Sequence, residues 1–407
     1  MAGAGFLTPG AATWAEAAAG RPAIFTGMSL AVPFLSLEPQ HTPLRAEIMA
    51  ALGRVYDSSW YVLGEEVSRF EAAYAAFSGT AHCVGVGNGL DALTLALRVL
   101  GVGPGDEVIV PANTYIATWL AVTQVGARPV PVEPELATSN LDPNRLAAAR
   151  TARTRAIMPV HLYGQACRMP EIMAFARQHG LFVVEDNAQA QGGAFAGQRT
   201  GSFGHVNATS FYPGKNLGAL GDAGALTTND AGLARQLRAL RNYGATEKYL
   251  NETPGYNSRL DELQAAVLHV KLPHLAAWTA QRQQIAAWYE QHLRGIAGLR
   301  RPQLAAGATH VYHLYVVHTA RRDALQAHLR EQGIGTLIHY PRPPHQQPAY
   351  AGLALPAAAF PIANELAATC LSLPLWPGMT EAQVAAVAAA IRGFYGQLAA
   401  TALPKAH

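Results

Sequence analysis

The stretch SFYPGKNLGALGDAGALTTND, residues 210–230, decides how the rest of the chain is interpreted. It begins at the end of an apolar run that predicts a buried strand, and a Pro-Gly turn then leads directly to Lys215. Three further glycines follow before residue 225, and they allow the backbone to pack closely around the lysine. A lysine after such a turn is most often a surface residue, so the neighbouring motifs must decide what Lys215 does.

A second apolar run, FVVED, ends on Asp186, where a buried parallel strand would place its carboxylate at a ligand-binding edge. A partly desolvated lysine amine can form an imine with an aldehyde cofactor, and a carboxylate can keep a pyridine nitrogen protonated. The pair predicts a pyridoxal 5'-phosphate (PLP) site with Lys215 as the Schiff-base residue and Asp186 as the partner of the pyridine nitrogen. The alternatives are a surface lysine and an aspartate that caps a helix.

The turn Gly-Asn-Gly-Leu-Asp, residues 87–91, lies between a predicted strand, HCVGV, and a strongly periodic helix. Free amide groups and the helix dipole at such an N-terminus suit a dianionic phosphate. We therefore expect Gly89, Leu90 and Asp91 to contact the phosphate of the cofactor. A tight strand-to-helix turn with no ligand is the alternative.

These motifs, together with PANTYIA, VEDNAQAQG, LRNYGATEKY and IHYPRPPH, resemble the DegT/DnrJ/EryC1/StrS family of PLP-dependent sugar aminotransferases over about residues 32–395. The resemblance implies the α/β architecture of PLP fold type I, which is aspartate aminotransferase-like. It also implies a homodimer with shared active sites.

The resemblance assigns further contacts with the cofactor. Tyr115 matches an aromatic residue that stacks on the PLP ring, although a core aromatic would give the same pattern. Gln189 matches a residue that reaches the phenolic oxygen, and Ser210 matches a serine that contacts the phosphate. Asn257 would reach the phosphate from the partner subunit, in a segment where Ser258 can also cap a helix.

The resemblance also implies a set of substrate contacts at the sugar nucleotide. An ordinary core histidine is an equal alternative for His161. The planar guanidinium of Arg259, with its fixed set of donors, suits an anionic group. The substrate-binding residues expected are His161, Tyr212, Arg259, His339 and Tyr340.

The chain departs from the family pattern beside the cofactor. Leu90 replaces a threonine that family members carry, and Asn187 and Gln191 stand in EDNAQAQG where EDAAQAHG is usual. We expect these three side chains to reshape the space for the sugar ring.

Lys215 also separates two branches of the family, because members with histidine there act as sugar dehydratases. The resemblance therefore implies transamination, with glutamate as donor and a dTDP-linked 3-keto-6-deoxyhexose as acceptor. A 4-keto sugar nucleotide aminotransferase is the alternative within the class. A non-catalytic PLP-binding regulator is the alternative outside it.

Alternation of short apolar runs with helical patterns predicts a large domain with a mostly parallel sheet over residues 32–275. A smaller C-terminal α+β domain is expected over residues 276–407. Residues 1–31 are expected to form an N-terminal extension, with Met28 as an alternative start. In HVYHLYVVH, residues 310–318, strand geometry would point His310 and His313 to opposite faces, so no metal site is expected.

The composition narrows the class of protein. Of 407 residues 50% are hydrophobic and 14% are charged, and the net charge is only +3. Basic residues form no runs, so neither nucleic-acid nor membrane-surface binding is expected. Three widely spaced cysteines and the lack of a secretory pattern at the start predict a cytoplasmic protein.

Overall fold

The computed structural model describes residues 31–402, so the predicted extension lies almost entirely outside the described residues. The large domain is built on a seven-stranded sheet with the order β1-β9-β8-β5-β4-β2-β3. All neighbours pair in parallel except at β9, which is antiparallel to both β1 and β8. The strands are β1 His82–Val86, β2 Glu107–Pro111, β3 Arg128–Val132, β4 Thr154–Ile157, β5 Phe182–Asp186, β6 Ala194–Phe195, β7 Gln198–Arg199, β8 Val206–Ser210, β9 Gly224–Thr228, β10 Ala245–Glu247, β11 Leu250–Asn251, β12 Tyr315–His318 and β13 Cys370–Leu373.

Helices cover both faces of this sheet and form most of the C-terminal part. They are α1 Glu38–His41, α2 Arg45–Ser58, α3 Glu65–Ser78, α4 Gly89–Val99, α5 Ala117–Gln124, α6 Leu146–Ala149, α7 Met169–His179, α8 Ala231–Leu240, α9 Glu262–Lys271, α10 Leu275–His292, α11 Arg322–Glu331, α12 Pro361–Thr369 and α13 Glu381–Ala402. Short 3-10 helices occupy Pro143–Arg145, Leu162–Gly164, Leu272–His274, Pro344–Gln346, Pro348–Leu353 and Ala357–Ala359.

The central strands are apolar on both faces because both faces are covered. In β2, Val108 and Val110 belong to one buried cluster, whereas Ile109 between them belongs to another on the opposite face. A strand buried on both sides needs a continuous apolar run, which is the pattern of EVIVP. The predicted α/β class with a mostly parallel sheet is confirmed.

Local signals in the sequence also set helix ends. In α3 the side chains of Val67, Phe70 and Tyr74 are buried at helical spacing. The helix stops at Gly79, whose φ of 72° lies in the left-handed region that glycine adopts without strain.

A second apolar core lies C-terminal to the sheet and involves α10, β12, α11, β13 and α13. Val32 also belongs to this core, and its amide donates to Gly333 O at 3.1 Å. Glu133, just after β3, accepts hydrogen bonds from the amides of Ile362 and Ala363 at the start of α12, at 2.8 and 2.9 Å. This carboxylate ties the first turn of the helix to the sheet.

HVYHLYVVH does not form one continuous strand. Only Tyr315–His318 is a strand, because residues 310–314 follow an irregular path in which Tyr312 has a φ of 46°. The alternation argument for His310 and His313 therefore does not apply. No group of three or more metal-ligating side chains occurs in residues 31–402, and no helix there could cross a membrane.

Candidate active site

A cavity of about 1730 Å³ opens at the carboxyl ends of β5 and β8, where the sheet meets the second core. Its wall combines the turn at Asn88–Leu90, the end of β5, the loop after β8 and the segment around His339. Lys215 and Asp186 both line it. The fold thus brings the two residues on which the PLP prediction rests into one cavity.

Lys215 lies in a loop that backbone hydrogen bonds hold tightly. Its own amide donates to Tyr212 O at 2.8 Å, and the amide of Ala219 donates to Phe211 O at 2.7 Å. The ammonium of the buried Lys271 donates to Gly218 O in the same loop. Burial lowers the pKa of Lys215 to about 8, although Asp186 nearby opposes the shift. About half of the amine is therefore uncharged at pH 8, a far larger share than for an ordinary lysine, and the uncharged form is the nucleophile.

Gln191 stabilises this loop through hydrogen bonds. Contrary to the expectation, its side chain does not shape the space for the sugar ring. Its side chain is fully buried; Oε1 accepts from Leu217 N at 2.8 Å, and Nε2 donates to Ser210 O at 2.8 Å and Leu217 O at 3.2 Å. Asn187 is also buried, with Nδ2 directed to Thr200 O at 3.4 Å. Neither side chain lines the cavity, whereas Leu90 does.

Asp186 is oriented by two donors at the end of β5. Thr118 Oγ1 donates to Oδ2 at 2.9 Å, and the amide of Ala188 donates to Oδ1 at 3.2 Å. Burial raises the pKa of this carboxyl, and these hydrogen bonds and the charge of Lys215 counteract the shift. The sequence reasoning missed Thr118, since a threonine in a predicted helix carries no recognisable signal.

Two glycines shape the turn at the start of α4. A Cβ on Gly89 would lie 2.6 Å from Ser210 Cβ, and a Cβ on Gly224 would collide with Asn88 O. Only glycine allows the turn to approach β8 and β9 so closely. The amides of Gly89 and Leu90 and the hydroxyl of Ser210 consequently meet at one end of the cavity.

Asp91 does not join them. Its amide donates to Asn88 Oδ1 at 2.9 Å, because Asn88 caps the helix. Its carboxylate accepts from Ser258 Oγ at 2.6 Å. The amide and the carboxylate of Asp91 thus both have partners within the protein, and its expected contact with a phosphate stays a prediction.

Two tyrosines and a glutamine form another part of the wall. The Tyr115 ring is 55% exposed and lies 5.2 Å from the Tyr340 ring, centroid to centroid. Gln189 Nε2 donates to Tyr340 Oη at 3.0 Å, while Gln189 Oε1 accepts from Tyr163 N at 2.6 Å. An open aromatic face on Tyr115 leaves room for a planar ring to stack on it.

His339 and Tyr212 also line the cavity. Nδ1 of His339 lies 2.8 Å from Ser372 Oγ, and the ring stacks on Phe34 at 5.8 Å. Burial, and then the charge of Lys215, lower the pKa of His339 to about 4. It is therefore a neutral hydrogen-bonding group near neutral pH. Tyr212 is exposed.

Besides Asp91, three predicted site residues do not line the cavity. His161 is fully buried: Nε2 lies 2.8 Å from Glu185 Oε2, and Nδ1 accepts from Cys167 N at 3.0 Å. It matches the core-histidine alternative. Asn257 is exposed and Arg259 half-buried, with Nη1 of Arg259 donating to Asn242 Oδ1 at 3.1 Å. Neither lines the cavity of its own chain.

The sequence reasoning also missed Arg282 and His313, which line the cavity from the side of the second core. Arg282 lies in α10 between polar residues, a pattern that is typical of a solvated helix face. No signal in the sequence distinguishes it from an exposed arginine.

The residues of the cavity fit three groups of PLP, namely its phosphate, its pyridine nitrogen and its aldehyde. Close-packed glycines leave amides and a hydroxyl for a phosphate, a buried carboxylate suits a protonated pyridine nitrogen, and a desolvated amine suits an aldehyde.

Comparison with known proteins agrees with this geometry. A model of the DegT/DnrJ/EryC1/StrS aminotransferase family matches residues 43–392. The chain is 52% identical over 361 residues to dTDP-3-amino-3,4,6-trideoxy-alpha-D-glucose transaminase of Streptomyces venezuelae, covering 89% of this chain and 95% of that protein. It is 48% identical over 363 residues to dTDP-3-amino-3,6-dideoxy-alpha-D-galactopyranose transaminase of Aneurinibacillus thermoaerophilus, covering 89% and 99%. The crystal structure of S. venezuelae DesV matches with a TM-score of 0.88 at 52% identity, covering 89% of this chain and 98% of that one.

Fold and cavity together define a PLP-dependent aminotransferase of fold type I. The chain belongs to the DegT/DnrJ/EryC1/StrS aminotransferase family.

Proposed function

We propose that the protein transfers an amino group from glutamate to carbon 3 of a dTDP-linked 3-keto-6-deoxyhexose. The observation that carries the proposal is the desolvated Lys215 amine in one cavity with Asp186. The two relatives named above are both dTDP-3-amino sugar transaminases, and they differ in the sugar. This supports the position of the amine more strongly than it supports one sugar.

The chain supplies positioning and proton transfer. When bound, PLP supplies an electron sink that stabilises negative charge on the substrate carbon. Lys215, with a pKa of about 8, would hold the cofactor at its aldehyde and would move a proton at Nζ during transfer of the amine. Asp186, held by Thr118 and Ala188, would keep the pyridine nitrogen protonated.

Whether a keto group at carbon 3 or at carbon 4 reacts depends on how far along the cavity the sugar is held. Leu90 and His339 both line the cavity, and we expect them to limit the positions that the sugar can take. Moving the keto group from carbon 4 to carbon 3 shifts the reacting carbon by about 1 Å or more, and such misplacement costs roughly a hundredfold in rate. One cavity should therefore not serve both isomers well.

The proposal includes a homodimer with shared sites. Exposed apolar side chains lie next to the segment that carries Asn257 and Arg259: Trp60, Tyr61 and Val62 precede α3, and Val62 bridges Asp261 at the start of α9. A patch of this kind on one chain suits a second copy. Across it, Asn257 and Arg259 would complete the partner's cavity. The proposed setting is the cytoplasm.

The experiment is turnover on matched 3-keto and 4-keto dTDP-6-deoxyhexoses, with PLP-loaded enzyme and glutamate as the donor. We expect the 3-keto sugar to react at least tenfold faster. Equal or faster turnover of the 4-keto sugar would refute the carbon-3 assignment but leave the aminotransferase intact. No amino transfer to any sugar, with PLP bound, would favour the regulator alternative.

A further inference from the structure

A basic corner lies in the cavity wall on the side of the second core, formed by Arg282 of α10 and His313 just before β12. Arg282 is only 2% exposed. Its Nη1 donates to two backbone carbonyl oxygens, Tyr312 O at 3.2 Å and Leu375 O at 3.4 Å. Nε has no partner within the described chain. The guanidinium is thus held in place by the backbone and is not neutralised.

The buried Arg241 differs from Arg282 in having a counter-ion. Arg241 is also buried, but its guanidinium contacts the carboxylate of Glu71. For Arg282, no carboxylate lies within ion-pair distance in residues 31–402, and burial lowers its pKa to about 9. A buried cation without a counter-ion is unfavourable, and a bound anion would remove that cost.

His313 adds a neutral hydrogen-bonding group to the corner. Its Nδ1 is buried and has no partner among the described residues. Burial lowers the pKa of His313 well below its ordinary value, and the charges of Lys215 and Arg282 lower it further. The corner therefore offers one positive charge near neutral pH and one neutral imidazole, within electrostatic reach of the reactive lysine.

The surroundings of the corner limit the size and charge of the anion. Leu35, Leu337, Leu373 and Leu375 also line the cavity, and Leu375 O accepts from Arg282 Nη1. A carboxylate on a short aliphatic chain matches one guanidinium set among leucines. A diphosphate carries more charge than this corner can neutralise and needs more donors than it provides.

We infer that Arg282 and His313 bind a carboxylate of the amino donor, and so select a dicarboxylic amino acid in the first half of the reaction. This inference rests on the proposed function. It assigns the donor to the wall formed by the second core rather than to the turn at Gly89–Leu90.

The test uses PLP-loaded enzyme with Arg282→Met, which keeps the length of the side chain and removes its charge. Glutarate, a dicarboxylate without an amine, is titrated calorimetrically, and KM is measured separately for glutamate and for the keto-sugar nucleotide. We expect glutarate to bind about tenfold or more weakly and the KM for glutamate to rise similarly, since a charged hydrogen bond is lost. The KM for the sugar nucleotide should change less than twofold.

Arg301→Gln is the matched control. Arg301 does not line the cavity, and its Nη1 pairs with Glu290 Oε2 at a distance of 2.6 Å. Should Arg282→Met fail to fold, judged by circular dichroism, Arg282→Lys and His313→Gln carry the test with smaller expected losses. Unchanged glutarate binding would overturn the inference, as would a loss confined to the sugar nucleotide. If wild-type enzyme binds glutarate through Arg282 but transfers no amine, the proposed function fails while the anion site stands.

Discussion

Replacing Gln191 by methionine should loosen the loop that carries the reactive lysine. Methionine has a similar length and fills the same buried space, but it makes none of the three hydrogen bonds to Ser210 and Leu217. The Leu217 amide is buried and has Gln191 Oε1 as its acceptor, so the substitution leaves a donor without a partner. A group left in this way costs about 1–3 kcal/mol, and the two carbonyl oxygens bring the expected total to about 2–4 kcal/mol.

The assay combines urea denaturation with hydrogen exchange measured on the peptide that covers residues 211–219. We expect a lower denaturation midpoint, faster exchange in that peptide and weaker retention of PLP. Gln198→Met is the control, since Gln198 is exposed and donates only at 3.3 Å to Ser202; it should cost less than about 0.5 kcal/mol.

Gln191→His should lie between the two variants, because an imidazole offers one donor and one acceptor in place of the amide's fuller set. If Gln191→Met matches Gln198→Met in both denaturation and exchange, the three hydrogen bonds do not hold the loop, and the reasoning is refuted.

Three further predictions concern the lysine and the dimer. Lys215→Ala should still bind PLP but lose transamination, and borohydride should fix the cofactor of wild-type protein to Lys215; an adduct mapped to Lys248 or Lys271 would contradict this. Because burial lowers the pKa of Lys215 to about 8, the rate of imine formation should rise with pH, level off above about 8, and not continue to rise towards 10.5; stopped-flow absorbance between pH 6 and 10 measures this. Mixing inactive Lys215→Ala with inactive Asn257→Asp subunits should restore one active site per mixed dimer, and an active monomer by light scattering would exclude shared sites.

Much of the large domain could be predicted from the sequence. Strands with both faces buried appear as uninterrupted apolar runs, and the strand predicted from HCVGV has the observed bounds. The segment 310–318 could not be predicted in the same way. Its residues are as apolar as a strand, but the path before Tyr315 is set by packing against α10 and the loop at Tyr163–Gly164.

The site was partly accessible to the same reasoning. Residues at strand ends and in glycine turns, such as Asp186 and Gly89, carry a local signal, and the structure brings them to the cavity. Arg282 carries no such local signal, because its role depends on its burial, which results from the fold. For Asn257 and Arg259 a single chain gives no answer, and the domain boundary near residue 275 stays a prediction.

The loop after β8 keeps its shape through its own backbone and through Gln191 and Lys271, and the side chain of Lys215 contributes no hydrogen bond to that framework within the described residues. The structure of the loop therefore does not depend on the side chain that reacts. In evolution or in the laboratory, the residue at position 215 can be exchanged without dismantling the pocket around it. A lineage could thus acquire a new reaction by changing a single codon, while the hydrogen bonds that hold the loop stay as they were. For the engineer, position 215 is the first place to seek new chemistry on this fold.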